Sequence, residues 1–413
     1  MKILQTDETL YIFPSGHYYT DSVFDGSGEF IYWLSNMFDS YPLNYTQLYN
    51  GCTNIIEVRT ENSSMIGVSG GNLNTVQVDV VNGVPHDSSD LISNGDFLSW
   101  DSALTAPDDW TVEADCTITQ GSTSLSVGGI TYTDYVDMGV PGSSNDNAMY
   151  QTISVLENTK YKLSILYGKE NTGDAEYYIE DLINSDIFIR EDITFPNPQL
   201  TNPTDTIGWL HDLFTTPDGC TSINIGIRTL DTVDNQLSIY AVSLHQVSES
   251  FSEVDITDQR LYSGTQFNSY VKEYTEILGE HSVMLTIIGV TNNLRIGEIR
   301  TGILTEFNDP LVGMNQGLYF NSVKSDLKFG GRLIDAKYNQ DVFNCSVNLL
   351  HADAYTFMYV VVPTLKSTPT FFILGELSGQ QWSFFAKFSD ELPNQKRNDH
   401  ISSTITFNLK EVI

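Results

Sequence analysis

At 413 residues the chain is long enough for about two to four domains. Its 40% hydrophobic and 12% aromatic content can build buried cores, which excludes a disordered acidic tail. Against 20 Lys and Arg stand 53 Asp and Glu, a net charge of −33 that repels phosphate backbones and argues against a nucleic-acid partner. The acids are scattered, so a solvated surface is their plain reading. They are also unevenly placed. Between residues 85 and 248 the only cations are Lys160, Lys162, Lys169, Arg190 and Arg228, whereas from Leu294 onward acids and bases nearly balance. That shift points to different modules.

In chain order, residues 1–84 are β-rich. The run Ile31-Tyr32-Trp33-Leu34 is apolar, Asn36-Met37-Phe38-Asp39 follows it, and Tyr41-Pro42 signals a turn. Ile55-Ile56-Glu57-Val58-Arg59 and Val76-Gln77-Val78-Asp79-Val80 alternate with the period of a half-buried strand, and Met65 to Gly71 is a strand closed by a glycine turn. These few strands cannot close a sandwich alone, and the pattern stops at Val84-Pro85.

A second β module follows. Its opening stretch, LISNGDFLSWDSALTAPDDW (residues 91–110), predicts a first strand over residues 92–97, and the alternation Trp110-Val112-Ala114-Cys116-Ile118 predicts a second over residues 110–119. Further strands are expected at residues 124–127, 150–155, 161–167, 176–179, 222–228 and 237–244, with a weak helical pattern near residues 206–214. Antiparallel jelly roll is the expected fold. After Ser248 the earlier pattern resumes with strands at residues 283–290 and 294–302. The fold class is therefore mainly β: a β-sandwich host domain (residues 1–84 plus 250–292) split by an inserted jelly-roll β-sandwich (85–249), followed by a small α+β domain (293–413). Three consecutive domains are the alternative. In the last part, HADAYTFMYVVV (residues 351–362) predicts a helix ended by Pro363, although Tyr359 to Val362 also reads as a strand; residues 371–374, 382–388 and 404–409 predict strands.

No catalytic constellation stands out. Carboxylate pairs such as Asp108-Asp109 and Glu191-Asp192 lie in polar stretches that supply no cleft for glycosidase work. The seven histidines (His17, His86, His211, His245, His281, His351, His400) are dispersed, and no GxSxG, phosphate-binding loop or GxGxxG occurs. Cys52, Cys116, Cys220 and Cys345 are far apart, so neither a disulfide framework nor a zinc site is expected. Asn94, Asp96 and Asp101 offer oxygens to calcium, but acidic loops without metal are commoner, and no cofactor is expected. The start, MKILQTDETLYIF, holds no apolar run of signal-peptide length and no stretch reaches a membrane span. Synthesis in a cytoplasm, with release by lysis or within a particle, is the expectation.

Aromatic side chains are the remaining chemical signal. Sugar rings stack their C–H faces on flat aromatic surfaces while their hydroxyls pair with Asp, Asn and Gln. In the middle module Trp100, Trp110, Tyr132, Tyr135, Tyr167, Tyr177, Tyr178 and Trp209 are available. Trp110 begins an alternating strand and is expected in the core. Trp209 and the Tyr177-Tyr178 pair, of which one must face outward, are the surface candidates. Trp209, Tyr177, Tyr178, Tyr167 and Trp100 make up the candidate carbohydrate-binding set.

Two resemblances add to this reading. The elements NGDF, a following Trp and PDDW between Ser93 and Trp110, the stretch YQTISVLENTKYKLSILY (150–167) and the close at residues 237–244 resemble carbohydrate-binding modules with a jelly-roll fold. Leu98 stands where that family commonly has Glu, and Tyr240-Ala241 where acids often precede the final Val-Ser-Leu. Those carboxylates belong to the family's calcium site, so the resemblance implies the fold more firmly than the metal. The flanks, with Asn36-Met37-Phe38-Asp39, the strands of residues 55–80, VMLTIIGVTNNLRIGEIRTG (283–302) and Ser322 to Gly330, resemble a family of phage tail proteins. Gly297, Gly302, Ser325, Asp326 and Gly330 follow that family's glycine-bearing strand pair and its sequel. This second resemblance implies a virion structural role at the tail or its tip. Joined to the jelly roll and to the lack of a catalytic constellation or membrane span, it gives the expectation of a non-enzymatic, homo-oligomeric tail or baseplate protein in contact with other tail proteins, with a host surface glycan as a further partner and no membrane insertion. A free cell-surface glycan-binding protein and a polysaccharide depolymerase are the alternatives.

Overall fold

A computed structural model describes residues 2–6, 9–15, 46–47, 54–71, 73–103, 105–113, 116, 118–127, 130–138, 147–169, 175–193, 207–229, 237–254, 268–289, 295–307, 315–326, 332–365, 368–377, 380–389, 393–398 and 400–412. The expectations at residues 31–42, and those at Gly330, His17 and Cys52, lie outside the described residues. The fold is mainly β, with one short helical segment.

The host sheet begins with β1 (Lys2–Thr6), β2 (Thr9–Ser15), β3 (Thr46–Gln47), β4 (Asn54–Gly71) and β5 (Leu73–Val81). The middle module supplies β6 (Thr111–Val112), β7 (Thr119–Val127), β8 (Ile130–Asp137), β9 (Asn147–Ser154), β10 (Lys160–Lys169), β11 (Ala175–Asp181), β12 (Asp186–Asp192), β13 (Ile207–Thr215), β14 (Ser222–Thr229) and β15 (Leu237–Val254). These form two antiparallel sheets. One runs β12-β11-β14-β9-β6. The other pairs β7 with β8, β8 with β15, β15 with β10, and β10 with β13. Alternate residues of both sheets, among them Tyr161, Leu163, Ile165, Ile223, Ile225 and Ile227, meet in one core that also takes in Phe97 and Trp110.

Strand β15 leaves this sandwich without a break. Its first part pairs with β10, and from Val247 to Val254 it pairs with β5. Next, β16 (Asn268–Gly289) pairs with both β4 and β5, and β17 (Arg295–Glu306) pairs with β4, β3 and β1. Strands from both sides of the middle module thus complete one sheet. That sheet extends through Glu306, past the expected limit at residue 292.

The remaining strands are β18 (Asn315–Asp326), β19 (Arg332–Leu350), β20 (Thr370–Leu377), β21 (Gln380–Phe388), β22 (Asn394–Arg397) and β23 (Ser402–Glu411). β23 pairs with β19, β21 and β22, and a helical segment covers this sheet through Ala354, Phe357, Val361 and Leu365. The segment comprises α1 (His351–Thr356), a π-turn (Phe357–Val361) and α2 (Val362–Leu365). Pro363, expected to end it, lies inside it. Proline has no N–H to donate, and the wider turn just before it takes up the mismatch.

Three further expectations are corrected. Residues 92–97 form turns and no strand: the Asn94 amide donates to the carbonyls of Ser99 (2.8 Å) and Asp108 (2.9 Å) and accepts from Ser99 N–H (3.0 Å), folding the chain back on itself. Of the strand expected over residues 110–119, Thr111–Val112 pairs with β9 and Thr119 opens β7, and none of the described residues between them lies in a strand. The weakly helical stretch near residues 206–214 is β13, held by its ladder to β10.

The second module sheet lays its outer face on the host sheet. Alternation sends Ile56 and Val58 into the host core and turns Glu57 and Arg59 toward the module. There Glu57, fully buried, accepts hydrogen bonds from Lys162 Nζ, from Ser282 Oγ (2.7 Å) and from Arg59 Nε (3.2 Å), and lies 3.3 Å from His211 Nε2. Trp209 stacks on His211 at 5.7 Å, with the Arg59 guanidinium 5.2 Å from its ring. Lys160 pairs with Asp79 at 2.7 Å. Burial alone would raise the Glu57 pKa, but the charges of Arg59 and Lys162 hold it well below the usual carboxylate range. Burial pushes the His211 pKa down to about 3, so the ring is neutral. With Nδ1 3.0 Å from the Ser164 hydroxyl, a ring accepting there keeps its proton on Nε2, facing Glu57.

Removing Glu57 strands two buried cations, so Glu57→Ala is expected to cost about 3–5 kcal/mol, read as a fall in thermal midpoint. Both Glu57 and His211 bind protons more readily in the unfolded chain. Stability is therefore expected to rise with pH between about 3 and the ordinary imidazole value of 6.5, and a denaturant titration at several pH values checks the sign.

Candidate functional site

With one sheet of the module pressed on the host, its other sheet, β12-β11-β14-β9-β6, offers the remaining broad face. Register defines that face row by row. Arg190 on β12 pairs with Tyr178 on β11, Tyr178 with Gly226 on β14, Gly226 with Tyr150 on β9, and Tyr150 with Thr111 on β6. These five residues form one straight row across all five strands. On one side of it lie Glu176, Arg228 and Ala148, and on the other Glu180, Asn224 and Thr152. Their neighbours along each strand, Tyr177, Ile227, Met149 and Ile153, point into the core.

Glycine at the centre of the row is a steric requirement. A Cβ at Gly226 would stand 2.1 Å from Tyr178 Cζ, so the tyrosine ring lies across the glycine, flat on the sheet. The Arg228 guanidinium sits 5.7 Å from that ring and leaves Tyr178 only 7% exposed. Glu176 fixes Arg228 by hydrogen bonds from its guanidinium and lies 3.4 Å from Arg190 Nε. Across the row, the Thr152 hydroxyl donates to Asn224 Oδ1 (2.7 Å) and Asn224 Nδ2 donates to Glu180 (3.1 Å). Burial, with the charges of Glu113 and Glu180, pushes the Tyr178 hydroxyl up to about 12, so it remains a neutral donor. Tyr150 is half-buried and presents the more open ring. The face thus combines a half-buried and a buried aromatic ring, a buried amide, hydroxyls, the ion-paired carboxylate of Glu176 and the amide-bonded carboxylate of Glu180.

The residues expected to bind carbohydrate are not brought together. Only Tyr178 belongs to this face. Tyr177 points inward, its hydroxyl donating to Asp212 (3.0 Å), and Tyr167 lies in the module core, because both fall on the core parity of their strands. Trp209, expected at the surface, is 4% exposed because the host sheet covers it. Trp100 is half-buried against the core, with its indole N–H donating to the Phe97 carbonyl (2.8 Å). Tyr150, Asn224 and Gly226 were not singled out from the sequence. Two signals pointed to them: Tyr150 opposes Met149 in the alternating run of β9, and a lone glycine interrupts the apolar strand Ser222–Thr229.

Among the described residues no group of three or more His, Cys, Asp or Glu is arranged to hold a metal ion. At the positions considered for calcium, Asn94 closes the turn described above, and the Asp101 carboxylate accepts from Thr105 N–H and its hydroxyl, both at 2.7 Å. Among the described residues no helix is long and apolar enough to cross a membrane.

No family model matches the chain, and no curated protein matches it. Among solved structures it is similar to the enzymatically active domain of tailspike protein 4 of bacteriophage CBA120, at 15% identity and a TM-score of 0.30, over 38% of this chain and 22% of that one. The chain therefore spans about a fifth of that tailspike chain. It is also similar to a family 16 carbohydrate-binding module (17% identity, TM-score 0.26, 37% of this chain and 98% of that one). A family 4 carbohydrate-binding module is similar at 14% identity and a TM-score of 0.28, over 38% and 99%.

Gly226→Ala forces the Tyr178 ring off the sheet. A loss of about 1–3 kcal/mol is expected in chemical denaturation, largely relieved when Tyr178→Ala is added, because the clash partner is then gone.

Proposed function

We propose that the chain is a non-enzymatic structural protein of a phage tail or baseplate region, oligomeric in the particle, and that its middle sandwich contacts polysaccharide on the host surface. The observation that carries the glycan half is the row Arg190, Tyr178, Gly226, Tyr150 and Thr111, with Asn224, Glu180 and Thr152 beside it. Tyr150 offers a ring for the C–H face of a pyranose, and the amide, hydroxyl and carboxylate groups within one residue spacing offer partners for its hydroxyls. Binding without catalysis is the better reading of this face. Glu176 is tied to Arg228, and Glu180 accepts from Asn224, so neither stands free as a nucleophile or an acid. The tail half rests on the resemblance of the flanking strands. It is compatible with a host domain that holds the module by one sheet and leaves the other outward.

The test is retention of the protein on immobilised host-cell polysaccharide, with and without Tyr150→Ala and Asn224→Ala. Each substitution is expected to weaken binding by about tenfold, a loss near 1.4 kcal/mol. Tyr150→Ala should leave the thermal unfolding midpoint unchanged, whereas Asn224→Ala removes a buried amide bonded to Thr152 and Glu180 and should also lower it. Equal retention of both variants sinks the assignment of this face. Release of reducing ends by the purified protein would favour a depolymerase. Antibody labelling of intact particles tests the tail assignment separately.

A further inference from the structure

Five of the exposed large apolar side chains among the described residues lie on the C-terminal region, at or beside its helical segment. Tyr355, Tyr359 and Val360 on the outer side of the helical segment are 62%, 64% and 47% exposed, and Leu350 and Ile401 beside its start are 53% and 67% exposed. The segment begins against Ile401, whose carbonyl accepts from His351 N–H (2.9 Å), which places Leu350 and Ile401 at its start. The two tyrosine rings lie 4.8 Å apart. The opposite side of the same segment, Ala354, Phe357 and Val361, is fully buried in the domain core, so the segment is already anchored and its outer side is surplus to folding. Apolar patches of this kind mark interaction sites.

Charge distribution says what covers it. Residues 1–293 hold 41 acids and 9 bases, a net −32, whereas residues 294–413 hold 12 acids and 11 bases, a net −1. Two copies brought together through their first 293 residues meet strong like-charge repulsion. A basic partner would be drawn to that acidic part and not to the neutral one. The neutral region is where two identical, strongly acidic chains can touch, and it carries the apolar patch. We infer that the Tyr355–Tyr359 face docks against the same face of a second copy of this chain. This rests on the oligomeric half of the proposed function and is independent of glycan binding.

Such a contact has an unusual salt response. Its attraction is apolar, and its opposition is the long-range repulsion of the remaining charge, which salt screens. Light scattering of the purified full chain, whose monomer is 46.2 kDa, is therefore expected to give a mass at least twice that value. Association should tighten as salt rises from about 0.05 to about 0.5 M. The double substitution Tyr355→Lys with Tyr359→Lys keeps good helix formers on an exposed face and lowers the net negative charge, so it adds no long-range repulsion. It is expected to weaken association by about tenfold or more while far-UV circular dichroism and polysaccharide retention stay unchanged. Leu278→Lys, at a position 76% exposed on β16, is the control and should leave the mass as it was. A wild-type monomer at every salt and protein concentration overturns the inference. So does a double variant that keeps the wild-type mass, or an association that weakens with salt.

Discussion

A fully buried carboxylate organises the molecule. Glu57 projects from the host sheet into the middle module and is matched there by Lys162 and His211, with Arg59 and Ser282 from its own side. A buried carboxylate is stable only when its charge is opposed and its lone pairs are taken. Here both conditions are met solely when the two sheets sit in one registered position. The Lys160–Asp79 pair adds a second point of registration, and β15, shared by both sheets, a third. Apolar sheets tolerate small slides, but this arrangement does not. Its polar character therefore bears on relative orientation more than on bulk stability.

That orientation decides which face of the module is available. Lys162, Ser164, Leu166, Trp209 and His211 make up the outer side of the sheet that meets the host, and all are buried. The opposite sheet, where Tyr150, Gly226 and Tyr178 stand in one row, is the face proposed for recognition. The two faces differ in how they treat their charges. Against the host, Glu57 is sealed from water. On the other face Glu176 is likewise buried, but its two arginines reach toward solvent, Arg190 49% and Arg228 22% exposed.

Acidity has an analogous spatial logic. Nearly all the net charge lies in the first 293 residues, and the C-terminal region is close to neutral. Like-charge repulsion favours particles that hold one part of each chain apart while another part makes contact. The exposed tyrosines of the helical segment are on the part that can make contact.

Much of the fold was legible in the residues. Period-two alternation marks β4, β5, β9, β10, β14 and β15, because a strand with one face in a core must alternate. The same alternation separates Tyr178 from Tyr177 and Tyr150 from Met149. It says that polar and apolar residues face opposite ways, but not what lies beyond the polar side. Glu57 and Arg59 read as a solvated face and are buried; Trp209 reads as a surface aromatic and is covered by the same contact. The reason is physical. Local pattern records the chain's preference between core and not-core, whereas the partner of a polar face comes from residues about a hundred positions away, as Lys162 does for Glu57. The Asn94 turn was misread for a related reason, since an apolar residue beside a polar one resembles a strand until side-chain hydrogen bonds to Ser99 and Asp108 close the loop. Strand content, the interrupted host and the division of charge are thus properties of the sequence. Which sheet is hidden, which tyrosines share a face and where the exposed apolar patch gathers follow only from the packing of distant strands.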